Sequence, residues 1–545
     1  MTRVLMIGWD GTTWDLVKPW MERGELPVLA ELVRRGVSGA LRSVPTMNSG
    51  PAWTTINTGL NPGQHGIYSL VDWVDGKYEL RPLKGTDRHG KTLWQRVSEA
   101  GKRVMVMNFP VTYPADPVNG VFIAGMDAPS SHSPRFGYPD KVVQDLLAEE
   151  DSYILAARVG SLIRSGRKTK ALARIHQMID GRLNVALQLL DREPWDLCQI
   201  LFNASDVAQH FFWEDLNGGK HRDAIHQVFR HLDKALGQLL DHAGSDVAVV
   251  LLSDHGFGAY KPGVRYVNDF LAGLGLLSYR TERRERRGWM RSLYLKLDQW
   301  LPHRLKAWLV QTFPNLFYRA TAGLWLQNID WTATRAFSIA GSSRIWINLE
   351  GRQPQGIVTP GDEYERIIER IQVAMGNAVD PRTGARAVRA VRHRDELYHG
   401  PFIQRAHDLL VEWEEVENLA GLAWYGDDRT VVAKKGIAHQ RNPINGSHRQ
   451  EGILVMHGQA FKEGDVVQGA TLYDITPTVL YLLDEPVPSN FDGRILRQAF
   501  RDDWLQANPP AWIETEDWGE SAHHTDIDED DDAVLDRLRG LGYVD

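Results

Sequence analysis

Seven side chains spread over more than four hundred residues offer donor atoms for two metal ions and one nucleophile: Asp10, Ser49, Asp206, His210, Asp254, His255 and His448. Carboxylate oxygens and neutral imidazole nitrogens suit zinc and its neighbours. Two such ions about 3.5 to 4 Å apart can clamp the attacking and leaving oxygens of an in-line displacement. A serine oxygen beside them becomes a usable nucleophile. Each residue alone has an ordinary reading. An Asp after a strand caps a turn or a helix, and Asp206 and His210, one helical turn apart, can pair without a metal. Asp254-His255 is less easily dismissed, because two ionisable residues at the end of an apolar strand need strong partners to be tolerated. The combination carries the reading.

The elements that must position these groups are visible in the apolar patterning. Val4 to Trp9 runs into Asp10-Gly11, Val247 to Leu252 into Asp254-His255-Gly256, and Leu197 to Phe202 precedes Asp206. Such near-continuous apolar runs read as strands buried on both faces, typical of a parallel sheet. His448 precedes a fourth run, Ile453 to Met456. In open α/β sheets ligands bind outside the carboxyl ends of the strands, which is where three of these groups fall. Ser49 stands in Asn48-Ser49-Gly50-Pro51-Ala52-Trp53 at an expected helix start, where Pro51 fits an early position and backbone N–H groups would face a phosphate. A shift of register would make Thr46 or Thr54 the nucleophile instead. Ser49 has the Pro offset, and Gly50 would let a phosphoryl group approach.

The block Pro45-Thr46-Met47-Asn48-Ser49-Gly50-Pro51, with Thr58-Gly59-Leu60-Asn61-Pro62-Gly63-Gln64-His65-Gly66-Ile67 after it, resembles the nucleophile region of the type I phosphodiesterase and nucleotide pyrophosphatase family of the alkaline phosphatase superfamily. Asp474-Ile475-Thr476-Pro477-Thr478 and Asp492-Gly493-Arg494 resemble the superfamily's closing helix and turn, so the resemblance spans residues 1 to about 500. It implies an α/β fold, an alkaline-phosphatase-like three-layer sandwich around a mostly parallel sheet with helical cap insertions. It also implies one metal on Asp206, His210 and His448 and another on Asp10, Asp254 and His255, with Ser49 facing both. The ions would be zinc, with manganese as the alternative. His439 and His457 compete with His448 for its place, but Gly446-Ser447-His448 matches the family's Gly-x-His.

Two departures bear on the substrate. Ala52 replaces the Asn usual after Pro, and Tyr68-Ser69-Leu70 stands where a phosphate-contacting Asn often follows His-Gly. The expected activity is therefore a two-metal phosphoester hydrolase, a phosphodiesterase or nucleotide pyrophosphatase working through phosphoserine at Ser49. A phosphomonoesterase or phosphoglycerate-mutase-like enzyme is the alternative. A sulfatase fits less well, because the Arg of its Ser-x-Pro-x-Arg signature is missing, and a degenerate binding protein would not keep every metal-type residue.

Composition adds bounds. The 545 residues are 43% hydrophobic, ample for a large core, and one cysteine, Cys198, excludes intramolecular disulfides. Neither a leader nor a run of about 18 apolar residues is seen, so a soluble cytoplasmic protein is expected. Residues 514–537 hold 11 acids and one arginine, so the net charge of -8 leaves about +2 on the rest. The expected organisation is a catalytic core of 1–126, 191–278 and 329–505, the last with a smaller subdomain near 350–430. A cap insertion of 127–190, a basic helical insertion of 279–328 and an acidic tail of 506–545 complete it, with Val534, Leu535, Leu538 and Leu541 able to dock back on the body. The basic stretch 280–301, with Trp289 and Trp300 at near-helical spacing, can lie on an anionic membrane surface or hold an anionic substrate, or simply pack its apolar face on the body. A small phosphoester is the expected substrate and no nucleic acid polymer is expected. The leaving group and the oligomeric state are not written in these patterns.

Overall fold

A computed structural model describes residues 2–149, 153–280, 326, 328–339, 342–416, 419–426, 429–433, 444–514 and 531–541. Its centre is a ten-stranded sheet whose middle five strands are parallel: Val247–Leu252, Arg3–Trp9, Leu197–Phe202, Val104–Met107 and Gly120–Ile123, in that spatial order. Glu451–His457 pairs antiparallel with Val247–Leu252 and with Val37–Arg42. Side chains alternate faces along a strand. Leu5, Ile7 and Trp9 accordingly enter one apolar core, and Val4 and Met6 the other.

Helices cover both faces, giving three layers. Lys168–Arg192, Ala204–Phe212 and Ala224–Ala243 pack on the first side, and Ser49–Thr58, Leu93–Glu99 and Ile475–Leu482 on the second. Both faces of the middle strands are thus covered, which is why their sequences are nearly all apolar; buried Gln199 donates to Asn57 Oδ1 at 2.8 Å.

A separate core is built on a four-stranded antiparallel sheet of Ala336–Ser338, Arg344–Ile347, Leu409–Trp413 and Val388–His393, backed by the helix Asp362–Gly376. Residues 266–277, expected in the main body, join this smaller core through Val267, Phe270 and Leu271. The segment 127–190, expected to cover the site, instead lies along the sheet. Gly137–Tyr138 extends its edge, and Ile175, Ile179, Ala186 and Leu189 of the long helix bury an apolar stripe in the first core. Of the basic stretch 280–301, residues 281–301 lie outside the described residues.

The helix Asp531–Leu541 docks on the body, with Val534, Leu538 and Leu541 at most 1% exposed. Buried Arg537 donates to the carbonyl of Met126 at 2.7 Å, and Lys84 pairs with Asp531 at 3.0 Å. No helix among the described residues is long and apolar enough to cross a membrane.

Candidate active site

The parallel strands deliver their carboxylates to one edge. Asp10 follows Arg3–Trp9 and keeps the ladder going, its N–H donating to Phe202 O at 3.0 Å. Asp254 lies two residues past Val247–Leu252, and Asp206 in the first turn of Ala204–Phe212. Glu451–His457 runs the other way, so the residues that precede it, His448 among them, arrive at that same edge. Antiparallel direction is what brings a group from before its strand to meet groups from after theirs. Gly446–Arg449 then pairs with Gly256–Ala259, setting His448 opposite Phe257.

Two triplets result. The donor atoms of Asp206, His210 and His448 lie within 4.8 Å of one another, and so do those of Asp10, Asp254 and His255. His448 stacks on His255 with ring centroids 3.8 Å apart, so the triplets share a wall. Ser49 opens the helix Ser49–Thr58, and its Oγ lies 3.4 Å from Asp10 Oδ1 and 3.3 Å from His255 Nε2.

The surroundings hold these groups in place. Trp53 Nε1 donates to Asp10 Oδ2 at 3.2 Å, Ser205 Oγ donates to Asp10 O at 2.6 Å, and the N–H of Gly11 donates to Asp254 Oδ1 at 3.3 Å. Nδ1 of His448 meets Met47 O at 2.6 Å, and Nδ1 of His210 lies 3.2 Å from Gly446 O, leaving each Nε2 to point at Asp206 at 3.3 Å. A carbonyl on one ring nitrogen fixes the tautomer that leaves the other free as a ligand. Gly11 has φ +68, and a Cβ there would stand 3.2 Å from Asp206 Oδ1, so the turn after Asp10 requires glycine.

Electrostatics fit a cation. Burial, then the charges of Asp254 and Asp206, holds the Asp10 carboxyl well above its usual range, and burial lifts Asp254 to about 7. Burial opposes ionisation of Asp206 too, but the imidazoles of His210 and His448 outweigh it and hold that carboxyl low. Burial keeps His255 well below and His448 below the ordinary imidazole range, so both are neutral, the ligating form. Three buried carboxylates in one pocket repel one another, and divalent cations between them would relieve both the repulsion and the burial cost. The residues present therefore fit a pair of metal ions.

The competing positions separate on geometry. Thr54 Oγ1 donates to Gly50 O at 2.8 Å within its own helix, and Thr46 lines the cavity mouth. His457 lies at the far end of its strand with Nδ1 3.2 Å from Arg35 O, and His439 falls outside the described residues. Two expectations about the Ser49 helix need correction. The space at Gly50 is filled by the Ser69 carbonyl, 2.7 Å from where a Cβ would stand, and not left for a phosphoryl group. The N–H of Gly50 is taken by Asn48 Oδ1 at 3.2 Å, that of Ala52 by Asn48 O at 3.0 Å, and Pro51 has none, so of the first four residues Ser49 is left to face an anion.

A cavity of about 360 Å³ opens from His210 and His448 and is walled by the smaller sheet, including Arg344, Arg389 and Trp413. Reading the sequence did not single these out. Isolated arginines in an alternating strand carry no periodic or motif signal.

A model of the type I phosphodiesterase / nucleotide pyrophosphatase family matches residues 4–415. The chain belongs to that family. It is accordingly a metal-dependent phosphoester hydrolase of mixed α/β fold. The match ends before His448, which the fold returns to the site. Phosphonoacetate hydrolase from Sinorhizobium meliloti 1021, solved with phosphonoformate, is similar in fold at 14% identity and a TM-score of 0.52, over 88% of this chain and 95% of that one. Murine ectonucleotide pyrophosphatase / phosphodiesterase 5 aligns at 12% identity and a TM-score of 0.47, over 90% and 98%. No curated protein matches the chain.

Proposed function

We propose that this family member cleaves phosphodiesters through a covalent phosphoserine at Ser49, with two divalent cations, zinc or manganese. Asp206, His210 and His448 would hold one and Asp10, Asp254 and His255 the other. The observation that carries this reading is the position of Ser49 Oγ, 3.4 Å from Asp10 and 3.3 Å from His255, the imidazole that stacks on His448 of the other triplet. When bound, the cations supply charge that lowers the hydroxyl's pKa and offsets the negative charge developing on the phosphoryl oxygens. Ser49 Oγ forms the bond to phosphorus as its proton passes to water, and the ester bond to the leaving alcohol breaks. Water then attacks phosphorus from the vacated side, breaks the Oγ–P bond and restores Ser49. Trp53 and Gly11 orient Asp10 and Asp254, and the carbonyls of Met47 and Gly446 orient the two imidazoles.

Ser49→Ala should lower turnover of bis-p-nitrophenyl phosphate by at least about 10³-fold while bound metal stays unchanged. A p-nitrophenyl phosphoryl group trapped on Ser49 in acid-quenched enzyme, read by mass spectrometry, tests the intermediate directly. Unchanged turnover in Ser49→Ala would reject the nucleophile. Rates on p-nitrophenyl phosphate exceeding those on the diester would favour a monoesterase instead.

A further inference from the structure

The cavity that leads to the two triplets is walled in part by Arg344 and Arg389, which have no carboxylate partner among the described residues. Arg344 opens the strand Arg344–Ile347, opposite Leu410, and is half-buried. Its Nη1 donates to Tyr68 O at 3.4 Å and its Nε to Ser342 Oγ at 3.1 Å, and its guanidinium lies 5.4 Å from the centroid of the Trp346 ring. Among the described residues no carboxylate lies within ion-pair distance of it. Burial draws its pKa down to about 10, so it is still charged at neutral pH.

Arg389 reaches the same cavity by a local irregularity. Val388 pairs with Trp413 and Ala390 with Glu412, so Arg389 is the extra residue of a bulge, a device that re-aims a side chain. It too has no carboxylate partner among the described residues. The acids of the lining are engaged elsewhere. Glu415 is shared by Lys261 at 3.1 Å and Arg449 at 2.6 Å, and Glu412 faces Arg392 at 3.7 Å. The wall thus presents uncompensated positive charge beside the apolar surfaces of Leu410 and Trp413.

The wall also sits close to the nucleophile. Arg344 reaches the Tyr68 carbonyl, and the next carbonyl, of Ser69, packs against Gly50, the neighbour of Ser49. A half-buried guanidinium held by a carbonyl and a hydroxyl keeps N–H donors for one anion, in the fork geometry that fits a carboxylate or a phosphate.

Building on the proposed phosphodiesterase reading, we propose that one ester arm of the substrate ends in a second anionic group, a carboxylate or a phosphate, which seats on Arg344 with Arg389 beside it. The shape required is a short apolar arm, lying along Leu410 and Trp413, with its charge at the end.

The test uses the metal-loaded enzyme and three p-nitrophenyl phosphodiesters whose second arm is ethyl, 3-carboxypropyl or 2-phosphonoethyl. Consumption is followed by ³¹P NMR, so cleavage of either ester bond is counted. The anion-armed diesters should have kcat/KM about ten-fold or more above the ethyl diester, as charge-assisted hydrogen bonds to one guanidinium provide. Arg344→Ala should reduce that ratio to near one, Arg344→Lys should restore part of it, and Arg389→Ala should lower it by a smaller factor. A preference for carboxylate over phosphonate, or the reverse, identifies which anion the arm carries. A wild-type ratio near one overturns the proposal whatever the variants do. An equal loss on all three diesters in Arg344→Ala also overturns it, and assigns Arg344 to the reacting phosphoryl group. Turnover that is absent on all three diesters, or insensitive to Ser49→Ala, would instead sink the phosphodiesterase reading. Ser49-dependent turnover with no arm preference sinks only this inference.

Discussion

Asp254 shows how a single carboxylate is placed by competing forces. Burial, joined by the charge of Asp206, lifts it to about 7, while hydrogen bonds with Asp10, the N–H of Gly11 and Ser49 pull the other way. Replacing it with a neutral amide removes a ligand and a buried charge together. Asp254→Asn should therefore lose about one of two metal equivalents by elemental analysis, while the metal-free protein melts no lower than metal-free wild type. His457→Ala, whose ring lies near Arg35, should keep both equivalents. Asp127 offers a pH-dependent counterpart outside the two triplets. It is 2% exposed, accepts from the N–H groups of Thr112 at 2.8 Å and Tyr113 at 2.6 Å, and is nonetheless raised by burial to about 6. Because its folded pKa exceeds the unfolded one, its contribution is present below about pH 4 and lost as pH rises through about 6. Between those limits wild type should lose up to about 3 kcal/mol relative to Asp127→Asn in urea unfolding. Parallel pH curves for the two proteins would contradict this.

At the scale of elements, capping shows how much lies outside local sequence. The helix Pro27–Arg35 begins at Leu26, which has no capping side chain, and its first N–H groups are met by a residue two hundred positions away. Asp233 Oδ1 accepts from Leu29 N at 2.8 Å and Oδ2 from Val28 N at 3.2 Å. Asp233→Ala should cost about 1–2 kcal/mol in chemical denaturation, the range of a lost N-cap, whereas an exposed Asp in the same helix, Asp241, should cost little. Strands behaved differently. Val247–Leu252 and Leu197–Phe202 were recognisable because double burial demands a near-continuous apolar run, interrupted here by Gln199 alone, a condition each segment declares by itself. The apolar spacing between Val142 and Leu190 reads as helical, and Lys168–Arg192 is the longest helix there, but its location was not readable. An amphipathic stripe states that a face is covered, and not by what.

The whole molecule is closed by the end of the acidic tail, whose apolar spacing at Val534, Leu535, Leu538 and Leu541 allowed it to dock back on the body. Leu538 is fully buried, and Arg537 fills a carbonyl pocket at Met126. Leu538→Ala should lower stability by about 2–5 kcal/mol and speed proteolytic removal of the C-terminal helix, with turnover unchanged under conditions where the body stays folded. The residue types, their order and the strand-end positions of Asp10 and Asp254 are written in the sequence, because burial and turn chemistry act over a few residues at a time. Membership of the phosphodiesterase family was legible for the same reason, since Asn48 to Gly66 is a contiguous block. Tertiary structure alone decided which groups share a wall. The antiparallel run of Glu451–His457 turned His448 back to the carboxyl edge, and a bulge aimed Arg389 into the cavity. It also spent the N–H of Gly50 on Asn48 and gave the cavity to the smaller sheet, not to residues 127–190. Such outcomes depend on strand direction, register and crossovers, and these are fixed by how distant apolar faces are covered together.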